Sequence, residues 1–113
     1  MRPNQRDICL VPIPFSDLRA AKRRPVLIIS NTAYHDSQED CLVMAITSRI
    51  DPQHPYGVFF TTDDVIEGLL PKPSQIRADK IYSVHQKILI RRFGSLSDAK
   101  YRSAVTLLLQ LVG

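Results

Sequence analysis

Arg24 stands directly before Pro25, whose ring biases the preceding residue toward extended backbone and sets a guanidinium at the mouth of an apolar strand. Arginine binds phosphate through a fork of N–H donors, so this position can hold and neutralise a phosphodiester. It closes the run Ser16-Asp17-Leu18-Arg19-Ala20-Ala21-Lys22-Arg23-Arg24. That run reads either as a solvated hairpin or as a loop that grips a phosphate backbone through Arg19, Lys22 and Arg23. Thr47-Ser48-Arg49 places two hydroxyls and a guanidinium directly after the apolar Leu42–Ile46. It either ends a strand or offers donors to an anion. In Gln75-Ile76-Arg77-Ala78-Asp79 polar and apolar residues alternate, so Gln75, Arg77 and Asp79 share one face of a strand. Arg77 and Asp79 form either a surface ion pair or a carboxylate that orients a guanidinium toward phosphate.

Other chemistries find less support. His35, His54 and His85 lie 19 and 31 residues apart, and neither Cys9 nor Cys41 belongs to a Cys-x-x-Cys pair. No zinc-ligand spacing results. His35 and His54 read as surface residues, and His85 as a turn residue beside Gln86 with a structural or solvent role. Four scattered glycines make neither a phosphate-binding Walker loop nor a dinucleotide fingerprint. Any catalysis is therefore expected to proceed without a metal or cofactor.

These groups must be positioned by a single domain over residues 1–113. At 44% hydrophobic and 23% charged residues the composition is globular. No apolar run approaches the roughly 20 residues of a membrane span. Pro12 and Pro14 break the first apolar stretch, so no secretory signal is expected and the two cysteines read as reduced thiols in a cytoplasm. The net charge of +4 is unevenly spread. Residues 1–24 hold six basic and two acidic side chains, residues 25–75 two and seven, and residues 76–113 seven and two. If the basic ends meet in the fold, they make a positive surface suited to a polyanion or an acidic partner protein.

Short Val- and Ile-rich segments recur between prolines: Ile8–Val11, Val26–Ile29, Leu42–Ile46, Val58–Phe60, the region of Ile76 and Ile81, and Ile88–Ile90. Their length and β-branching favour strands, and the unbroken apolar runs imply burial on both faces. After Ser97, a plausible cap, Tyr101, Ala104, Val105, Leu108 and Val112 recur at helical spacing. A shorter helical turn is expected from Asp63 to Gly68 with Thr62 as its cap. The fold class is thus mainly β: a small, partly open barrel with a C-terminal helix.

Taken in order, five stretches resemble the MazF/PemK family of type II toxin–antitoxin ribonucleases. They are Arg6-Asp7-Ile8-Cys9-Leu10-Val11, Arg24-Pro25-Val26-Leu27-Ile28-Ile29-Ser30-Asn31, Ala45-Ile46-Thr47-Ser48, Gln75-Ile76-Arg77-Ala78-Asp79-Lys80, and Gly94-Ser95-Leu96-Ser97. The resemblance implies an SH3-like barrel with a C-terminal helix, a homodimer, an acidic antitoxin, and metal-independent cleavage of single-stranded RNA at short sequences. It makes Arg24, Thr47, Arg77 and Asp79 catalytic and places Ser48 against substrate. Two departures stand out. Arg6 occupies the family's opening Gly position, and the first-loop histidine of some PemK-type members has no counterpart between Phe15 and Arg24.

The reaction implied is attack by a ribose 2′-OH on its own phosphodiester, leaving a 2′,3′-cyclic phosphate and a 5′-OH. Arg24 would stabilise the phosphorane, Thr47 and Ser48 would hold a non-bridging oxygen, and Asp79, flanked by Arg77, would accept the proton. Phe59, Tyr56 and Tyr82 are candidate platforms for unstacked bases. Two other readings compete with this one. A CcdB-like toxin that poisons DNA gyrase would use a C-terminal Trp, and this sequence has none. A non-catalytic RNA-binding barrel would not need Arg24 and Thr47.

Overall fold

The computed structural model describes residues 2–14 and 21–113. The strands are β1 (Asp7–Pro14), β2 (Ala21–Ile28), β3 (Asp40–Thr47), β4 (Gly57–Phe60), β5 (Val65–Ile66), β6 (Ser74–His85) and β7 (Arg91–Leu96). Two helices, α1 (Thr32–Ser37) and α2 (Asp98–Val112), interrupt and follow them. The strands make one curled antiparallel sheet in the order β4-β6-β3-β2-β1-β7-β5. The mainly β barrel-like fold with a C-terminal helix is as expected.

Because side chains alternate across a strand, the unbroken apolar runs feed two cores. Ile8, Leu27, Met44, Ile46, Phe60, Ile76 and Leu96 pack on one face with Ala104 of α2. Cys9, Val11, Val26, Ile28, Cys41, Val43 and Leu89 form the second core on the opposite face. Burial raises the Cys9 and Cys41 thiols to about 12 and about 11, so both stay protonated and unreactive at neutral pH. Helix α2 starts where expected: Ser97 accepts a hydrogen bond from the Lys100 N–H at 3.4 Å, and Asp98 occupies the first turn.

Three local expectations are corrected. Thr61, not Thr62, caps the turn at Thr62–Asp64, because Thr61 and Asp64 form a reciprocal capping box. The β-branched Val65 and Ile66 then pair with β7 instead of prolonging the turn. Ile88–Ile90 is not a strand: His85 caps a 3-10 turn over Gln86–Ile88, Leu89 drops into the second core, and pairing resumes at Arg91. His35 is buried rather than superficial. Ser30 Oγ accepts from the Leu42 N–H and donates to His35 Nε2 at 2.6 Å, while His35 Nδ1 donates to the Pro3 carbonyl at 2.9 Å. Helix α1, which carries His35, has no apolar period in the sequence and is started by the Asn31 side chain.

Arg6, at the position where the resemblance leads one to expect glycine, has φ +78°. Its N–H donates to the Ile28 carbonyl, and its own carbonyl accepts from the Leu96 N–H, both at 2.8 Å, so the conformation is imposed from both sides. A left-handed non-glycine residue costs about 1–2 kcal/mol, and the extra unfolded freedom of a glycine offsets about 0.4–1 of that. The exposed Arg6–Asp98 pair adds little. Arg6→Gly is therefore expected to stabilise the fold by about 0.5–1 kcal/mol, read as a higher urea midpoint at constant slope. A lower midpoint would show that the Arg6 side chain outweighs its backbone.

Candidate active site

The site opens where two neighbouring strands part. β2 pairs with β1 from Ala21 to Leu27, but with β3 only over Val26–Ile28. Pro25 has no N–H with which to extend that second ladder. Arg24 and Thr47 therefore flank a gap in the sheet. Register aligns the other groups. Val26, Ala45, Arg77 and Gly57 lie in one row across β2, β3, β6 and β4, and Thr47, Gln75 and Phe59 in the next. Arg24 is two residues from Val26 and so shares this face, which lies opposite α2.

A cavity of about 380 Å³ fills the gap, walled by Arg24, Thr47, Arg49, Asp51, Arg77 and Tyr82 among others. An adjoining cavity of about 270 Å³ shares Arg24, Pro25 and Ile46 and adds Lys22, Arg23, Ser48 and Lys72 over the apolar Leu70 and Phe93. The first wall also includes Lys80, so cations outnumber the single carboxylate, Asp51. An anion is the natural occupant.

Two devices hold the wall rigid. The buried Gln75 side chain accepts from the Asp51 N–H at 3.0 Å and donates to the Asp51 carbonyl at 2.9 Å, fastening the segment after Thr47 to β6. Gly57 makes room for it, since a β-carbon there would overlap the Gln75 amide. Thr47 Oγ accepts the Arg49 N–H at 3.0 Å, which leaves the hydroxyl proton to be donated to a ligand.

Between Met44 and Ala45 the β3–β6 register jumps from Ile81 to Arg77, so Ala78, Asp79 and Lys80 have no partners on β3. Asp79 turns back onto Arg77 in this irregularity. Arg77 Nε donates to Asp79 Oδ1 at 2.9 Å and Nη2 to Oδ2 at 2.8 Å. The Arg77 hydrogen bonds are the main reason that the Asp79 carboxyl is held below its usual range, with His54 a lesser cause; Asp79 in turn raises Arg77. His54 Nε2 lies 3.7 Å from Asp79 Oδ2.

Comparison with known proteins bears on what this cavity serves. The family described as PemK-like, MazF-like toxins of type II toxin–antitoxin systems matches residues 4–112. The chain belongs to this family. Among solved structures, a mycobacterial endoribonuclease in complex with its cognate antitoxin aligns over 98% of this chain and 95% of its own, with 20% identity and a TM-score of 0.80. The Mycobacterium tuberculosis toxin MazF-mt6 aligns over 95% and 96%, at 20% identity and a TM-score of 0.76. A MazE-MazF structure from Deinococcus radiodurans covers 100% and 97%, at 17% identity and a TM-score of 0.78. At these identities the likeness is one of fold. No curated protein matches the chain by sequence.

Of the residues that the sequence points to in this MazF-like chain, Arg24, Thr47 and Arg77 meet on one cavity, and Asp79 joins them through Arg77. Lys22, Arg23 and Ser48 line the adjoining cavity. Arg19 lies outside the described residues. Tyr82 is 40% exposed and part of the wall, Phe59 is 49% exposed at the end of the Thr47 row, and Tyr56 packs on the first core. Arg49, offered by the sequence as a donor to an anion, is also a wall residue, whereas sequence reasoning missed Lys80 and Asp51, although Lys80 stands within a motif that it singled out. It also placed His54 on the surface. His54 is instead four-fifths buried beside Asp79, and no spacing in the chain signals that proximity.

Proposed function

We propose that this toxin is a sequence-specific endoribonuclease that cleaves single-stranded RNA to 2′,3′-cyclic phosphate and 5′-OH ends without a metal ion. The observation that carries the reading is the meeting of Arg24, Thr47 and Arg77 on one cation-rich cavity. Family membership and structural neighbours named as endoribonucleases support it. A bound phosphodiester meets the Arg24 guanidinium and the Thr47 hydroxyl, with Ser48 available from the adjoining cavity. The ribose 2′-oxygen forms the new bond to phosphorus as it loses its proton, and the bond from phosphorus to the 5′-oxygen breaks, that oxygen taking a proton from water to become the 5′-OH. Arg24 and Arg77 offset the charge that gathers on the phosphorane oxygens. Asp79, which reaches the cavity only through Arg77, is the carboxylate assigned to receive the 2′-OH proton. Its depressed pKa makes it a weak base, so the larger share of the acceleration falls to the cations.

The same cavity accounts for the expected partners. An acidic antitoxin segment would be drawn to its cationic wall, as would RNA. For a homodimer, the exposed apolar residues Leu109, Leu111 and Val112 of α2, on the side away from the cavity, offer surface for assembly. A cytoplasmic toxin acting on messenger RNA fits this set.

The test is incubation of purified protein with a long single-stranded RNA in EDTA, followed by mapping of the 5′ ends. Cuts at one short motif, with cyclic phosphate on the upstream fragment, are expected. Intact RNA from folded, antitoxin-free protein would overturn the nuclease reading in favour of a binding toxin or a non-catalytic RNA-binding barrel. Cleavage only after metal is restored would overturn the metal-free step.

A further inference from the structure

The segment between β3 and β4 is fastened at several points. His54 N–H donates to the Asp51 carbonyl at 3.1 Å, Gly57 N–H to the His54 carbonyl at 3.3 Å, and Ala78 N–H to the Tyr56 carbonyl at 2.9 Å. Gln75 clamps both backbone groups of Asp51. The last two contacts tie the segment to β6 on either side of Arg77, beside the irregularity that carries Asp79. His54 is therefore held against Asp79 by backbone on both sides rather than brought there by chance of rotamer.

Its ring orientation is equally constrained. Nδ1 accepts the Tyr56 N–H at 3.1 Å, so the proton of the neutral ring sits on Nε2. Nε2 faces Asp79 Oδ2 at 3.7 Å, where that oxygen also accepts from Arg77 Nη2. The His54 and Asp79 side chains are only 20% and 25% exposed. Hydrogen bonds of catalytic groups are often long without substrate and tighten when it binds.

We propose that His54 is a positioning residue for the Arg77–Asp79 pair, donating from Nε2 to the Asp79 carboxylate so that Arg77 keeps its two-point grip and aims its remaining N–H groups at the RNA phosphate. This rests on the endoribonuclease reading above. The ring does not serve as the base, because Nδ1 is engaged by Tyr56 and Nε2 carries the proton. The carboxylate needs such a partner because Arg77 must serve two anions once the phosphate arrives. A donor from a third direction keeps Asp79 in place while Arg77 is drawn toward substrate.

Three substitutions test this. His54→Ala is expected to lower kcat by about tenfold with KM within about twofold, as is typical when a supporting partner is lost. His54→Gln, whose amide nitrogen reaches the place of Nε2, is expected to recover most of that loss. His54→Asn, whose oxygen takes the place of Nδ1 toward Tyr56, is not. If His54 only shaped the segment, Asn would rescue and Gln would fail. Combining His54→Ala with Asp79→Asn is expected to cost no more than Asp79→Asn alone; additive losses would overturn the proposal. Nitrogen-15 NMR of the RNA-free protein provides a reading independent of cleavage. The Nε2-protonated tautomer is expected for His54, with its Nε2 resonance moving in Asp79→Asn. An Nδ1-protonated ring, or a resonance blind to Asp79, would overturn the proposal even if RNA is cleaved. Failure of wild-type protein to cleave RNA with the expected spectrum would instead overturn the nuclease reading.

Discussion

Replacing Arg24 with alanine is expected to lower the rate of RNA cleavage by about 10²–10³-fold, the usual cost of removing a main electrostatic donor to a developing oxyanion. Arg24 walls both cavities, so its loss removes the cation common to the cleft and its neighbour. The effect should fall on kcat more than on KM, because charge on the phosphorane exceeds that on the ground-state diester and the remaining cations still bind RNA. The backbone at Arg24 pairs with Val11 on β1, and alanine preserves that pairing, so the melting temperature should change little. Arg24→Lys restores the charge without the fork, and only part of the rate should return. The measurement is single-turnover cleavage of a short RNA that contains the mapped site, with each variant verified as folded. An Arg24→Ala enzyme of full activity would remove Arg24 from the mechanism and shift the burden to Arg77.

How far the site was legible follows from how local each signal is. Arg24 could be read because Pro25 constrains it and an apolar strand follows. Arg77 and Asp79 could be read because alternation places them on one face, and the fork between them confirms that placement. Gln75 was placed on that face too, but its function depends on Asp51, which the sequence separates from it by 24 residues, and on the bare backbone at Gly57. His54 belongs to the same class. It reaches Asp79 only because the β3–β6 register shifts and the segment around it is tied to β6, and neither event leaves a local pattern. The two cores were legible as unbroken apolar runs, and α2 through its cap and period. Helix α1 was not: six residues capped by Asn31 are too few to show a period. The resemblance exposed Arg6 as a substitution for glycine, but only the backbone shows its cost, as a φ of +78°.

Asp7→Ala is expected to cost about 3 kcal/mol of folding stability, at the lower end for breaking a buried ion pair. The Asp7 side chain is 2% exposed. Its Oδ1 accepts from Arg92 Nε and from Ser95 Oγ, both at 2.9 Å, and its Oδ2 accepts from the Asn4 N–H at 2.9 Å. Alanine would leave all three donors without this buried acceptor. Arg92 is a third exposed and also lies 3.6 Å from Glu67, so part of its charge can be satisfied elsewhere, which moderates the penalty. The position matters because it joins the start of β1 to β7, where Asp7 pairs with Ser95, next to the strained Arg6. Asp7→Asn should cost less, since the amide keeps one acceptor for Arg92 or Ser95 but loses the charge. Urea unfolding gives the reading, as a midpoint shift with an unchanged slope. RNA cleavage by the folded fraction should survive, because Asp7 touches neither cavity wall. A loss of stability under about 0.5 kcal/mol, the range of ordinary surface substitutions, would mean that Arg92 and Ser95 find equivalent partners without it.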